Sequence, residues 1–161
     1  MPGLESLLSR LIQARVEFVI VGGFAAMAHG VTLVTQDIDI CLRFSPDNLF
    51  RLREALADLH PVHRMTPQLI PLQINEANVS EFRNLYLDTD FGQLDCLSEV
   101  KGIGGFDAVA ALSEEVELTA GRCKVLGIDG LIRAKEAMGR VQDRLAILQL
   151  RAIQERQAGE S

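Results

Sequence analysis

Apolar residues recur along this chain with two periods, one typical of helices and one typical of strands. Residues 4–14 place leucines and isoleucines at helical spacing, which predicts a first amphipathic helix. The segment VEFVIV at 16–21 is β-branched and aromatic, as in a short buried strand. A glycine pair then opens a small-residue helix. Strict alternation over 35–43 (TQDIDICLR) predicts the next strand.

The second half of the chain continues both patterns. Ser45-Pro46-Asp47 is a helix-start signal, and helices are predicted at 46–59, 107–112, 129–139 and 142–157. Strands are predicted at 69–74, in a hairpin formed by 82–88 and 92–97, and in a second hairpin around Gly121. Strands that mix with helices and join by hairpins predict an α/β (α+β) fold, with a mixed twisted sheet flanked by helices.

The length of the chain and its cysteines narrow the possible domain organisation and location. A length of 161 residues is most simply one domain, predicted at 1–157, with a C-terminal tail at 158–161 that we expect to fray. Cys41, Cys96 and Cys123 lack C-x-x-C spacing. That argues against a disulfide framework or zinc site and favours a cytoplasmic location.

An uncharged run covers residues 18–36 and is long enough for a membrane span. Glycines, a histidine and threonines interrupt it, and an alternating strand follows at once. A strand, a turn and a core helix fit this pattern better, so we expect no membrane association.

Charge is distributed unevenly. Residues 1–120 carry 8 basic and 17 acidic residues, whereas residues 121–157 carry 8 basic and 4 acidic residues. A basic C-terminal region could face polyphosphate or RNA, although a solvated helix face is the more ordinary meaning of such a run.

Two acids stand inside the strand predicted at 35–43. Alternation puts Asp37 and Asp39 on one face and Ile38 and Ile40 on the other. The Cα atoms of the two aspartates should lie about 6.6 Å apart, at roughly 3.3 Å per residue. A divalent cation such as Mg²⁺ would relieve their repulsion and desolvation. The alternative is that both are solvated on an edge strand.

A third acid, Asp95, stands in the apolar strand GQLDCL. If that strand lies beside the Asp37–Asp39 strand, Asp95 completes a three-carboxylate site; otherwise it is a surface residue. Gly22-Gly23, between a strand and a helix, would let the backbone approach an anionic ligand closely. Glycine pairs are also common in ordinary turns.

These features combine in VGGFAAMAHGVTLVTQDIDICL (21–42), which resembles the signature of the DNA polymerase beta-like nucleotidyltransferase superfamily. EVELTAGRCKVLGIDGLIRAKEAMGRVQDRLAILQL (115–150) is similar to the C-terminal half of its small bacterial branch, which includes abortive-infection-type toxin nucleotidyltransferases. The resemblance extends over about 14–150 and implies a minimal nucleotidyltransferase fold with C-terminal helices.

The resemblance implies that Asp37, Asp39 and Asp95 hold two Mg²⁺ ions, with Mn²⁺ as a substitute. Asp95 would also help to deprotonate the attacking hydroxyl. Gly22 and Gly23 would contact the triphosphate of a nucleotide such as ATP.

Further nucleotide contacts are implied for Thr35 and for the C-terminal region. Lys135 would meet a phosphate, although a solvent-facing helix lysine is an equal alternative. Arg140 and Asp143 would order the C-terminal helices or touch the nucleotide.

Three positions depart from the family pattern. Leu33 replaces a basic residue, while Gln142 and Ala146 replace a lysine and an aspartate.

The implied function is transfer of a nucleoside monophosphate from a nucleoside triphosphate to a hydroxyl of RNA (including tRNA), a protein or a small molecule. The resemblance also suggests a toxin–antitoxin component with an antitoxin-like partner, or a homodimer. The alternative is a non-catalytic interaction module that keeps the fold as one component of a complex.

Overall fold

The computed structural model of the chain describes residues 3–32 and 35–160. Its helices are Leu4–Gln13 (α1), Gly22–Ala28 (α2), Pro46–Leu56 (α3), Phe106–Ala111 (α4), Ile128–Met138 (α5) and Arg144–Gly159 (α6), with a 3₁₀ turn at Val141–Asp143. Its strands are Phe18–Val21 (β1), Asp37–Leu42 (β2), Val62–His63 (β3), Ile70–Pro71 (β4), Leu85–Thr89 (β5), Gly92–Leu97 (β6), Glu99–Val100 (β7), Gly104–Gly105 (β8), Ser113–Leu118 (β9) and Gly121–Leu126 (β10).

Within the described ranges, eight strands form one sheet in the order β4-β3-β5-β6-β2-β1-β10-β9. Strand β2 runs parallel to β6, and β1 runs parallel to β10, while the other neighbours are antiparallel. Strands β7 and β8 form a separate ribbon. The prediction of a mixed sheet flanked by helices is confirmed. None of the helices formed by residues 3–32 and 35–160 has the length and apolar character needed to cross a membrane.

The core lies around the centre of this sheet. All four residues of β1 are buried, and the predicted core side of β2 is confirmed because Ile38 and Ile40 are fully buried. Helix α1 contributes Leu7, Leu8 and Leu11, which are also fully buried. Because Ile38 and Ile40 face the core, Asp37 and Asp39 point to the opposite face of the sheet.

Asn48, at the start of α3, connects β1 and β2 from within the core. The side chain is fully buried, and its Oδ1 accepts a hydrogen bond from the Glu17 backbone N–H at 2.7 Å. Its Nδ2 donates to the carbonyls of Glu17 and Arg43 at 3.0 and 2.8 Å. The entry of β1 and the exit of β2 are therefore held by one buried amide.

The predicted strand at 69–74 is wrong over most of its length, since only Ile70–Pro71 forms β4. Pro71 has no backbone N–H to donate, and β4 is accordingly an exposed edge strand. Its partner β3 was not predicted, because two residues carry no detectable periodicity. Helix α3 ends at Leu56, before the predicted 59, and α6 continues to Gly159, beyond the predicted 157.

Candidate metal centre

Strand register brings the three predicted metal ligands together. Asp39 on β2 pairs directly with Asp95 on the parallel neighbour β6, and Asp37 pairs with Gln93. Each of the three aspartates offers a carboxylate oxygen, and no two of these oxygens lie more than 4.8 Å apart. The acids face one centre from two adjacent strands.

Burial and mutual repulsion make this cluster electrostatically unfavourable by itself. Asp95 is only 9% exposed. Burial, followed by the charges of Asp37 and Asp95, raises the pKa of Asp39 from an ordinary 3.8 to about 7. Near neutral pH, Asp39 is therefore partly protonated until a cation enters.

A basic residue already pairs with one of the acids. Arg64 follows β3, and its Nη2 donates to Oδ1 and Oδ2 of Asp95 at 2.6 and 2.5 Å. The Arg64 guanidinium lies 5.6 Å from the centre of the Tyr86 ring. The hydrogen bond to Asp95 is the main cause of the raised Arg64 pKa, so this arginine stays protonated.

Gly22 lies directly against the cluster. Its φ is +70°, a region that other residues rarely adopt, and a Cβ there would overlap Asp39 Oδ2. A glycine is therefore required by the carboxylate itself, before any contact with phosphate is considered. Gly23 is the second residue of α2.

Thr35 also contacts the cluster. Its Oγ1 donates to Asp37 Oδ1 at 2.9 Å and to the Asp37 carbonyl at 3.2 Å. Thr35, predicted to bind the nucleotide, thus orients the first of the three carboxylates.

A cleft of about 650 Å³ opens beside the acids. Gly22, Asp39 and Asp95 line one part of it, and Lys135 and Arg140 line another. Electrostatic contact between Arg140 and Asp39 contributes to the raised pKa of Arg140, after a larger contribution from Asp143. The cleft therefore combines an acidic floor with a basic wall.

Asp143 does not line this cleft but supports its basic wall. Asp143 is 5% exposed, and its carboxylate accepts hydrogen bonds from Arg140 Nε at 2.7 Å and Nη2 at 3.1 Å. Lys135 Nζ lies 3.6 Å from Asp143 Oδ1. Hydrogen bonding to Arg140 and the charge of Lys135 hold the pKa of Asp143 below its usual range. These ion pairs join α5 to the turn before α6.

Gln142 and Ala146 do not line the cleft. Gln142 is exposed in the 3₁₀ turn, and Ala146 is partly buried on α6. Leu33 lies outside the described residues. Gln142 and Ala146 therefore lie outside the walls of the cleft.

Sequence reasoning missed Arg64 and Tyr86. Tyr86 could have been found, because it alternates with buried Leu85 and Leu87 and must face the other side of β5. Nothing in the sequence around Arg64 distinguishes it from an ordinary surface arginine.

The donor set fits Mg²⁺ or Mn²⁺ because all its atoms are carboxylate oxygens. Two opposite ligands of one Mg²⁺ stand about 4.1 Å apart, given metal–oxygen distances of about 2.0–2.1 Å. A spread of up to 4.8 Å therefore suits one ion after slight contraction. It also suits two bridged ions about 3.5–4 Å apart.

Neither the protein-family models nor the curated proteins compared with this chain match it.

Proposed function

We propose that this protein is a divalent-metal-dependent nucleotidyltransferase, as its resemblance to the DNA polymerase beta-like superfamily implies. The observation that carries the proposal is the meeting of Asp37, Asp39 and Asp95 on adjacent strands, beside a cleft with a basic wall. Isolated acid pairs are common on surfaces, but three partly buried carboxylates gathered at one point repel one another, and a divalent cation would relieve that repulsion.

The cleft is large enough for a nucleotide, since ligand pockets span about 300–1,000 Å³. Lys135 and Arg140 offer positive charge for the phosphates of a nucleoside triphosphate such as ATP. Gly22 lets the chain pass close to the acids, and Gly23 follows it at the same edge. Thr35 keeps the Asp37 carboxylate in one orientation.

In the proposed reaction, the acceptor hydroxyl oxygen bonds to the α-phosphorus, and the bond from that phosphorus to pyrophosphate breaks. The hydroxyl proton passes to a carboxylate oxygen of Asp95. Two bound Mg²⁺ ions would supply charge neutralisation and polarise the phosphate oxygens. Asp37 and Asp39 would hold the metal ions at the triphosphate end of the site, and the basic wall would orient the leaving pyrophosphate.

RNA, including tRNA, is the acceptor that charge favours slightly over a protein or a small molecule. Arg144 and Arg156 are exposed on α6, which extends the basic character of the C-terminal region. We also propose a cytoplasmic location and a role in a toxin–antitoxin pair, either with an antitoxin-like partner or as a homodimer.

A non-catalytic interaction module is the alternative. Gln142 and Ala146 motivate it because they depart from the family pattern. The Arg64–Asp95 ion pair favours it as well, since it neutralises one acid without a metal.

Calorimetric titration with Mn²⁺ and a non-hydrolysable nucleoside triphosphate tests the enzyme proposal. We expect saturable binding that Asp37→Asn weakens by about tenfold or more, because one of three ligands loses its charge. Glu81→Gln, at an exposed position, serves as the matched control. Absence of binding, or equal binding by Asp37→Asn, would contradict the proposed function.

A search for the product tests the transfer itself. Purified protein, Mg²⁺ and labelled nucleoside triphosphates are incubated with total RNA or protein, and adducts are identified by mass spectrometry. Metal-dependent adducts that disappear in Asp37→Asn support the enzyme. Metal and nucleotide binding without any adduct would favour the interaction module.

A further inference from the structure

One charged residue of the site has no role in the proposed reaction. Arg64 is the only cation hydrogen-bonded to the three-carboxylate cluster among residues 3–32 and 35–160, and a single nitrogen bonds to both oxygens of Asp95. That nitrogen lies between the two oxygens, where a metal chelated by Asp95 would have to lie.

The fold places Arg64 there through strand register. Asp39 pairs with Asp95, Asp95 pairs with Tyr86, and the Arg64 backbone N–H donates to the Tyr86 carbonyl at 3.0 Å. These four residues thus form one row across β2, β6, β5 and the end of β3. The Arg64 side chain reaches along this row, past the Tyr86 ring, to the carboxylate.

We propose that Arg64 is a latch on the metal site, an internal cation that closes Asp95 to a metal ion until the ion displaces it. This inference rests on the proposed function, because it requires that Asp95 bind a metal. The guanidinium nitrogen that contacts both oxygens excludes a divalent ion from the position between them, and the like charges of the two cations repel. The metal-free protein therefore holds Arg64 inward, and the loaded protein holds it outward.

Two features make the displacement feasible. Arg64 remains partly exposed, with 21% of its side chain accessible, so it can leave without opening the core. Its Nε is buried and makes no hydrogen bond with any part of the chain that the structure describes, so the inward position leaves one donor unsatisfied. In addition, Asp88 faces the same side of β5 as Tyr86, and its charge already acts on Arg64.

A purely structural role is the competing explanation. In that case Arg64 ties the end of β3 to β6, and the metal ion binds to the remaining lone pairs with Arg64 in place. The two explanations differ in where Arg64 lies once the ion has bound. A latch moves away from Asp95 and its removal tightens metal binding, whereas a structural tie stays in place.

The first test is the affinity for Mn²⁺ alone, measured by calorimetry for the wild type, Arg64→Gln and Arg64→Lys. We expect Arg64→Gln to bind Mn²⁺ more tightly by about tenfold or more, because a competing positive charge has gone. Arg64→Lys keeps the charge without the planar fork and should lie between the two. Unchanged or weaker binding by a folded Arg64→Gln protein would overturn the latch.

The same titration separates this inference from the proposed function. If the wild type binds Mn²⁺ and Asp37→Asn weakens binding while Arg64→Gln has no effect, only the latch is wrong. If neither the wild type nor Arg64→Gln binds Mn²⁺, the metal site itself is wrong, and the latch is wrong with it.

A second measurement uses the unsubstituted residue and does not depend on the folding of a variant. In protein labelled with ¹⁵N-arginine, the Arg64 Nε–H should give a slowly exchanging signal without metal, because this group is buried. The signal is assigned by its loss in Arg64→Lys. We expect it to shift and to exchange faster as Mg²⁺ saturates the protein. A signal that stays unchanged at saturating Mg²⁺ would show that Arg64 does not move, and would overturn the proposal.

Discussion

Replacing Asp39 by asparagine should stabilise the metal-free protein at neutral and alkaline pH. Burial and the charges of Asp37 and Asp95 raise the pKa of Asp39 to about 7, so the folded state resists its ionisation. The asparagine amide is uncharged and can still donate a hydrogen bond to Asp95, as a protonated Asp39 does. The substitution therefore removes an electrostatic cost and keeps the contact.

The size and sign of this effect follow from proton linkage. Below about pH 3, Asp39 is mostly protonated in both the folded and the unfolded protein and contributes little difference. Between about pH 3.8 and pH 7, Asp39 is ionised in the unfolded protein but mostly protonated in the folded protein. The free energy of unfolding therefore falls as the pH rises through this range. The full interval corresponds to about 4 kcal/mol at about 1.36 kcal/mol per pH unit. Residual solvent around Asp39 reduces this to about 2–4 kcal/mol.

Chemical denaturation from about pH 4 to pH 8, with a chelator present, measures the difference. The free energy of unfolding of Asp39→Asn should exceed that of the wild type increasingly with pH and level off above about pH 7. Glu81→Gln, at an exposed position, should show no such trend. A constant difference across this range, or a less stable Asp39→Asn protein at pH 8, would refute the electrostatic reasoning.

Three further substitutions, with Gly30→Ala as a control, test individual contacts of the fold and the site. Gly22→Ala should weaken Mn²⁺ binding by about tenfold or more, because the new Cβ displaces Asp39. Gly30→Ala, with φ +104° but no such contact, should be destabilised with Mn²⁺ affinity retained. Asn48→Ala should lower the free energy of unfolding by about 2–3 kcal/mol in urea, since three hydrogen bonds are lost. Asp143→Ala should lower it by about 1–3 kcal/mol and raise the KM for the nucleotide, because it leaves two cations without their partner.

Local pattern was sufficient to predict most of the elements around the site. Alternation alone placed Asp37 and Asp39 opposite the buried Ile38 and Ile40, and the structure has that arrangement. The hairpin formed by β5 and β6 was also predictable, because its turn residues separate two alternating segments. Each of these features depends on residues within a few positions of one another.

Features that depend on distant residues could not be predicted with the same certainty. Asp39 and Asp95 are 56 positions apart in the chain, so their pairing could be predicted only on the assumption that their two strands are neighbours in the sheet. Arg64 reaches Asp95 only because a two-residue strand, β3, adds to the edge of β5. Asn48 looked like an ordinary residue of a first helical turn, although it is the buried connection between β1 and β2.

Two of the three acids are neutralised in the metal-free protein: Asp39 by a proton below about pH 7, and Asp95 by the guanidinium of Arg64. In the proposed latch a metal ion displaces both, so its binding should release protons below the pKa of Asp39. Calorimetry in two buffers of different ionisation enthalpy should detect about 0.9 proton released per site at pH 6 and about 0.1 at pH 8. Mn²⁺ affinity should rise with pH up to about 7 and then level off. Equal proton release at both pH values would mean that Asp39 is ionised before the metal binds.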